Sequence, residues 1–469
     1  MTGMLRNAVA LLALAGAMLA GPAVTPARAV VELPPEVMAM DPAARGYWIL
    51  LNLPLGPPTL TETEYFDLWK AWPEPWRTEA ERASPDERRK LLLSRYGFQE
   101  TADRDGFVPQ QFTPDGDGRL SDNCLFCHGG PVDGKVVRGL GNGLVDIATF
   151  AEDLAALRKA DGTAQAAYWP ANVPSAPESP VRGLSNAWGT AIAFVMMREK
   201  DLTRTEVPQF PIPAAAQFDL PGKTPPYWLS KRKSHYYADA FAGKSHRDIM
   251  QFSMTFAVSK DAALALEAPF RDIYAWIDTL EAPPYPGPVD RDAARRGRLV
   301  YLQNCVACHG LGSNFPDRVV SLAEVGTDPV RAVDLPVAFK TYLGESWFGD
   351  YGQTSSRPET GGYLAQPLDG VWASAPYLHN GSVPTIWHLL TPEARPAIWT
   401  REDHGYDHAR LGVVATAHAE MPKEVTDPRE LRRYYRTTLR GLGNGGHAFP
   451  AGGLPEADKM ALIEFLKTL

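Results

Sequence analysis

Apolar positions recur at helical spacing in two separated stretches of the chain's second half. In RDAARRGRLVYLQN, Ala294, Leu299 and Val300, with the small Gly297, predict a short amphipathic helix. In EADKMALIEFLKTL, Met460, Leu462, Ile463 and Leu466 predict a closing helix. The segment APFRDIYAWIDTL repeats the second pattern, finishing on Trp276 to Leu280 as the other finishes on Phe465 to Leu469. Between such stretches the periodicity is broken by 42 prolines and 40 glycines, which limit long regular elements. Short helices joined by long ordered loops are therefore expected, in a mainly α-helical chain. The proline-rich EAPPYPGPVD that follows Leu280 marks a boundary near residue 285.

The N-terminal pattern is of another kind. Arg6 precedes an apolar run from Ala8 to Leu19, and Ala27, Arg28 and Ala29 form a small-x-small cleavage pattern. A signal peptide over residues 1–29 is expected, and with it a periplasmic or secreted protein. The run is well short of the roughly 18 to 20 apolar residues that span a bilayer, so no transmembrane anchor is expected.

At 469 residues the chain exceeds what one hydrophobic core usually serves, so more than one domain is expected. The formal net charge of −8, more negative still once Arg6 and Arg28 are removed, does not suit a nucleic-acid partner. The compact basic run Lys231-Arg232-Lys233 is too short to change that, and reads as a solvated turn.

The cysteines change the picture most. There are four, and all lie in two copies of Cys-x-x-Cys-His: Cys124, Cys127 and His128, then Cys305, Cys308 and His309. Disulfides inside such short loops would stabilise little. A four-thiolate zinc site would leave both histidines unexplained, and a thioredoxin-like pair is not expected twice. Covalent haem accounts for every residue: two thiols one turn apart add across the porphyrin vinyl groups, and the adjacent histidine offers its imidazole to the iron. Two covalently attached haem c groups are expected, with His128 and His309 as proximal ligands. The leading helix, haem turn and closing helix then make the pattern of a cytochrome c domain. The stretch from His128 to Leu280 nearly matches that from His309 to Leu469 in length, so two tandem cytochrome c-like haem domains with long loop insertions are expected. They would cover residues 120–285 and 286–469, with residues 30–119 wrapped around the first.

What faces each haem's other side decides between electron transfer and chemistry. Eight further histidines are His235, His246, His379, His388, His404, His408, His418 and His447. His447 lies in the glycine-rich GLGNGGHAFP just before the closing helix, where backbone can approach a porphyrin closely. It is the expected sixth ligand of the second haem. His379, in APYLHNGSVPTIWHLL, can reach a haem edge, bond a propionate or support its loop, and support is favoured over ligation.

The stretch GGYLAQPLDGVWASAPYLHNGSVPTIWHLL resembles the diheme cytochrome c peroxidase superfamily, which shares a Pro-Tyr-x-His-x-Gly segment in its second haem domain. More closely it resembles the branch containing the rubber oxygenases. NCLFCHGG with GKVVRGLGN, the LHNGSVPT segment, and GNGGHAF with ALIEFLKTL are similar to that branch in the same order. The resemblance implies haems with unequal tasks: one takes peroxide or dioxygen as the small-molecule oxidant, the other relays electrons, with a small redox protein as a possible donor. In the bacterial peroxidases a methionine fourteen residues after the Pro-Tyr-x-His histidine ligates the second haem. That position is Glu393 here, so ligation is expected to follow the rubber-oxygenase-like pattern through His447. In that branch the first haem has no strong distal protein ligand, which implies the reactive iron over His128. His246, in YWLSKRKSHYYADAFAGKSHRDIMQF, would close that iron if it ligated the first haem. Tyr227, Trp228, Tyr236 and Tyr237 of the same segment are candidates for lining a pocket or relaying electrons, or for ordinary core packing. The superfamily's peroxidases use a first-domain Glu as acid-base group. Glu178 and Glu199 are the nearby options here, neither with special support. The chain is short for a rubber oxygenase, and polyisoprene is not inferred as substrate.

A calcium ion is a lesser option. PDGDGRLSD places Asp115, Asp117 and Asp122 as in a calcium loop, but Phe126 stands where the twelfth-position Glu belongs. A turn leading into the first haem motif is the better reading.

Overall fold

The computed structural model describes residues 33–104, 106–160, 179–254 and 259–469. The expected signal peptide and Glu178 lie outside the described residues. No described helix is long and apolar enough to cross a membrane.

Both helices expected from the periodicity form. Arg291–Asn304 begins at Asp290, whose side chain accepts from the Asp292 and Ala293 amides, and it leads directly into the short helical turn Val306–His309. It crosses the closing helix Glu456–Leu466 at Gly297, where a Cβ would sit 1.9 Å from the Ala461 carbonyl oxygen. Only glycine permits that approach. The same device recurs elsewhere: Glu267–Thr279 crosses Pro42–Asn52 at Gly46, where a Cβ would meet the Asp272 carbonyl oxygen at 2.0 Å. Arg45 clamps this crossing through a two-pronged ion pair with Asp272, at 2.6 and 2.7 Å.

The expectation of a mainly α-helical chain is corrected. The structure is 42% helical and 12% strand, with several small sheets, and is mixed α/β. Ile398–Asp407 lies between Gly412–His418 and Tyr435–Arg436 in one antiparallel sheet, and Arg119–Asp122 lies between Leu60–Thr61 and Phe112–Pro114 in another. The first of these sheets follows the second Cys-x-x-Cys-His motif and the other precedes the first motif; Gly412–His418 is rich in β-branched Val413, Val414 and Thr416 but its burial does not alternate. The longer strands, Ile398–Asp407 and Gly412–His418, carry polar and charged residues without clean alternation and so give no strand signal in the sequence.

Two tandem haem domains are not shown either. The core around Trp188 takes Leu50 and Ile273 from before residue 285 and Phe339 and Trp347 from after it. The core around Trp228 joins Leu140 to Val300 and Leu462. Packing thus runs across the proline-rich connector, and both Cys-x-x-Cys-His turns face one shared interior.

Candidate haem site

The largest cavity among the described residues has a volume of about 580 Å³. Cys124, Cys127, His128, Cys305, Cys308, His309, His379 and His447 all line it. Aromatic and aliphatic side chains complete the wall, among them Trp188, Tyr227, Tyr236, Tyr237, Phe252 and Tyr363. The four cysteines are free thiols. Burial pushes Cys124 and Cys305 up to about 11 and Cys127 up to about 12, so each is held as the neutral thiol.

His309 is oriented by its outer nitrogen: Nδ1 lies 2.7 Å from the Gln366 carbonyl oxygen. A donor bond there fixes the tautomer and leaves Nε2 free to ligate, as in metal-bound imidazoles generally. His447 stands beside it, with ring centroids 6.1 Å apart. Two imidazoles on opposite sides of one metal place their centroids roughly 6 Å apart, from a metal–nitrogen bond of about 2 Å on each side and about 1.1 Å more to each ring centre. The fit is close. His447 reaches this position in a left-handed conformation, φ 48°, with its amide donating to the Val325 carbonyl at 2.6 Å. Gly446 before it passes so near Gly326 that a Cβ would lie 2.2 Å from that residue's carbonyl carbon. Nδ1 of His447 has no hydrogen-bond partner, and burial followed by the field of His309 pushes its pKa down to about 4.

His128 is held differently. Its ring stacks on Tyr227 at 3.6 Å with an interplanar angle of 7°. Burial lowers its pKa to about 3 against the opposing pull of the Pro225 carbonyl, although Nδ1 reaches no partner at hydrogen-bonding geometry. Burial lowers the pKa of His309 as well, against the opposing pull of the Gln366 carbonyl, so both proximal candidates favour the neutral imidazole, the form that ligates iron. His379 stacks on Tyr363 at 4.1 Å, its carbonyl accepts from the Lys223 amide at 2.9 Å, and its Nε2 has no partner. Among the described residues no methionine lines the cavity.

The remaining histidines are engaged elsewhere. His246 lies outside the cavity wall with Nε2 3.2 Å from Glu267 Oε1. His235 bonds Ser234, His388 bonds Thr385, His408 bonds Tyr285 and His418 bonds Thr400, and His404 lies against a smaller surface pocket. Glu199 is exposed and does not reach the cavity wall. Asp115 accepts from the Asp117 and Arg119 amides and pairs with the Arg119 guanidinium, closing a turn. Among the described residues no three His, Cys, Asp or Glu side chains converge to hold a bare metal ion.

Residues 362–400 match the family described as RoxA-like, cytochrome c-like. The match supports a cytochrome c family of the rubber-oxygenase type and, beside the two Cys-x-x-Cys-His motifs, suggests covalent haem c. It spans Tyr363, Gln366 and His379. The chain is also similar to two uncharacterised proteins of Sinorhizobium fredii (strain NBRC 101917 / NGR234). One, y4iM, is 35% identical over 164 residues, covering 30% of this chain and 37% of the relative. The other, y4iJ, is 30% identical over 249 residues, covering 39% of this chain and 40% of the relative. The chain thus aligns with well under two thirds of either relative.

Sequence reasoning named Tyr227 as a pocket candidate but missed the Gln366 carbonyl, Tyr363 as the stacking partner of His379, and Arg331. A backbone acceptor leaves no side-chain signature. Beside the cavity, Asp248 is buried with only the Ser245 hydroxyl donating to its carboxylate, at 2.8 Å, and its pKa is pushed up to about 7. The folded chain then keeps a proton that the unfolded chain has released above about pH 4, so this group costs stability increasingly from there to pH 7. Asp248→Asn is expected to gain about 2 kcal/mol or more over the parent protein at pH 8 and little at pH 4, in denaturant titrations at the two values.

Proposed function

We propose that this chain is a diheme c-type oxidoreductase, exported, in which the haem carried by His128 meets peroxide or dioxygen and the haem carried by His309 relays electrons. The observation that carries the reading is the asymmetry of the imidazoles: His447 faces His309 at 6.1 Å, while Tyr227 stacks on His128 and His246 is bonded to Glu267 outside the cavity. Haem c supplies a redox-active iron, which passes electrons when both axial positions are filled and binds a small oxidant when one is open. The chain's own part is to fix the two imidazoles, exclude water behind aromatic walls, and leave apolar space beside His128 in which Trp188, Tyr237 and Phe252 pack edge to face. The family match and the single cavity shared by both motifs support the reading. A small redox protein is the proposed electron donor.

The test is spectroscopic. In the protein as isolated, one high-spin haem that binds cyanide and one low-spin haem are expected. Hydrogen peroxide added to the fully oxidised and the half-reduced protein should perturb the high-spin haem. Two low-spin haems inert to added ligands in every redox state would instead describe a non-catalytic electron carrier.

A further inference from the structure

The wall of the haem cavity holds three basic side chains, Lys223, Lys233 and Arg331, against one carboxylate, Asp122, and burial pushes the two lysines down to about 7 and about 8. Arg331 is the least reconciled of them. It is 4% exposed, and its guanidinium stacks over Trp188 at 4.5 Å. Its Nη2 approaches Asp239 Oδ1 only to 3.4 Å, and neither Nη1 nor Nη2 has a hydrogen-bond partner. Asp239 is already paired with Lys340, whose Nζ lies 2.7 Å from Oδ2. Two cations and one anion are thus packed out of water, with a net positive charge left on the arm that lines the cavity. An arrangement of this kind is costly unless an anion completes it.

We propose that Arg331 is a carboxylate receptor inside the cavity and that a haem propionate occupies it. This rests on the haem reading above. A guanidinium presents its N–H groups as a planar fork matched to a carboxylate, which a lysine does not, and two nitrogens of that fork are unbonded here. Trp188 holds the plane of the fork and Asp239 holds its far side. Arg331 is a positioning residue: it fixes a haem edge and keeps the propionate ionised when the iron is reduced. The groups facing it are Asp239, Lys340, His379, Tyr237 and Tyr363. Burial pushes His379 down to about 3 and both tyrosines above their ordinary range, so none of these three titrates near neutrality.

The experiment uses the full haem-bearing protein. Haem per chain is measured first by pyridine haemochrome, so that absence of haem, which defeats the parent reading, is separate from failure at Arg331. Spectroelectrochemical titration from pH 6 to 9 then compares the parent protein with Arg331→Gln and Arg331→Lys. The parent waves are expected to be flat with pH. In Arg331→Gln one wave should move and acquire a slope approaching one proton per electron, as the propionate takes up a proton on reduction. Arg331→Lys keeps the charge and the Asp239 partner but offers a single point donor. It should move the same wave less, and it is the variant read if the glutamine protein does not fold. Waves unchanged in position and slope would overturn the proposal and leave Arg331 as a core ion pair. Sodium acetate titrated into the parent protein is expected to move neither wave. A saturable acetate shift that requires Arg331 would show that a free carboxylate occupies the fork, and would overturn the propionate assignment.

Discussion

Replacing His447 with alanine is expected to convert one low-spin haem into a high-spin haem that takes up carbon monoxide, with near-complete loss of that haem's low-spin signal. The geometry leaves no substitute for the lost imidazole. His379 is held by its stack on Tyr363 and by the Lys223 amide on its carbonyl, and among the described residues no methionine lines the cavity. The loop that carries His447 is itself pinned by the Val325 carbonyl and the contact between Gly446 and Gly326, so shortening the side chain should vacate the position without moving the backbone. Electron paramagnetic resonance and the carbon monoxide difference spectrum read the change. His379→Ala is the control and is expected to keep the low-spin signal. An unaltered low-spin haem in His447→Ala would sink the pairing with His309.

The second large effect concerns haem number. Cys124→Ser with Cys127→Ser, and separately Cys305→Ser with Cys308→Ser, are each expected to lower covalent haem from two per chain to one. Pyridine haemochrome and the mass of the denatured chain count it. Each pair lies on one helical turn with its thiols turned into the shared cavity, and a thioether needs the sulfur at both positions. Losing a haem also leaves part of a 580 Å³ apolar-walled space unfilled, so both variants are expected to melt earlier than the parent. If instead the parent cysteines were disulfide-bonded, denatured parent protein would carry no haem and no titratable thiol. That outcome would remove the basis for every haem assignment.

Much of the site was legible in the residues because its chemistry is local. Thiol, thiol and imidazole must lie within one turn to serve one porphyrin, so Cys-x-x-Cys-His declares itself wherever it occurs. The approach of His447 to the second motif was legible for a related reason, since a glycine-rich loop before a closing helix permits close backbone approach. The fold class was less legible. Strands such as Ile398–Asp407 and Gly412–His418 are stabilised by partners far apart in the chain, and they carry polar and charged residues without clean alternation.

By itself, then, the sequence determined the two Cys-x-x-Cys-His motifs and the helices whose periodicity flanks the second of them, because each follows from spacing over a few residues. Tertiary structure alone decided that both motifs open into one interior, that the cores cross the connector near residue 285, and that His246 turns to Glu267. It also decided that Arg331 faces that interior with unbonded nitrogens, because a buried charge is defined by what surrounds it, and its neighbours Trp188, Asp239 and Lys340 come from three distant parts of the chain.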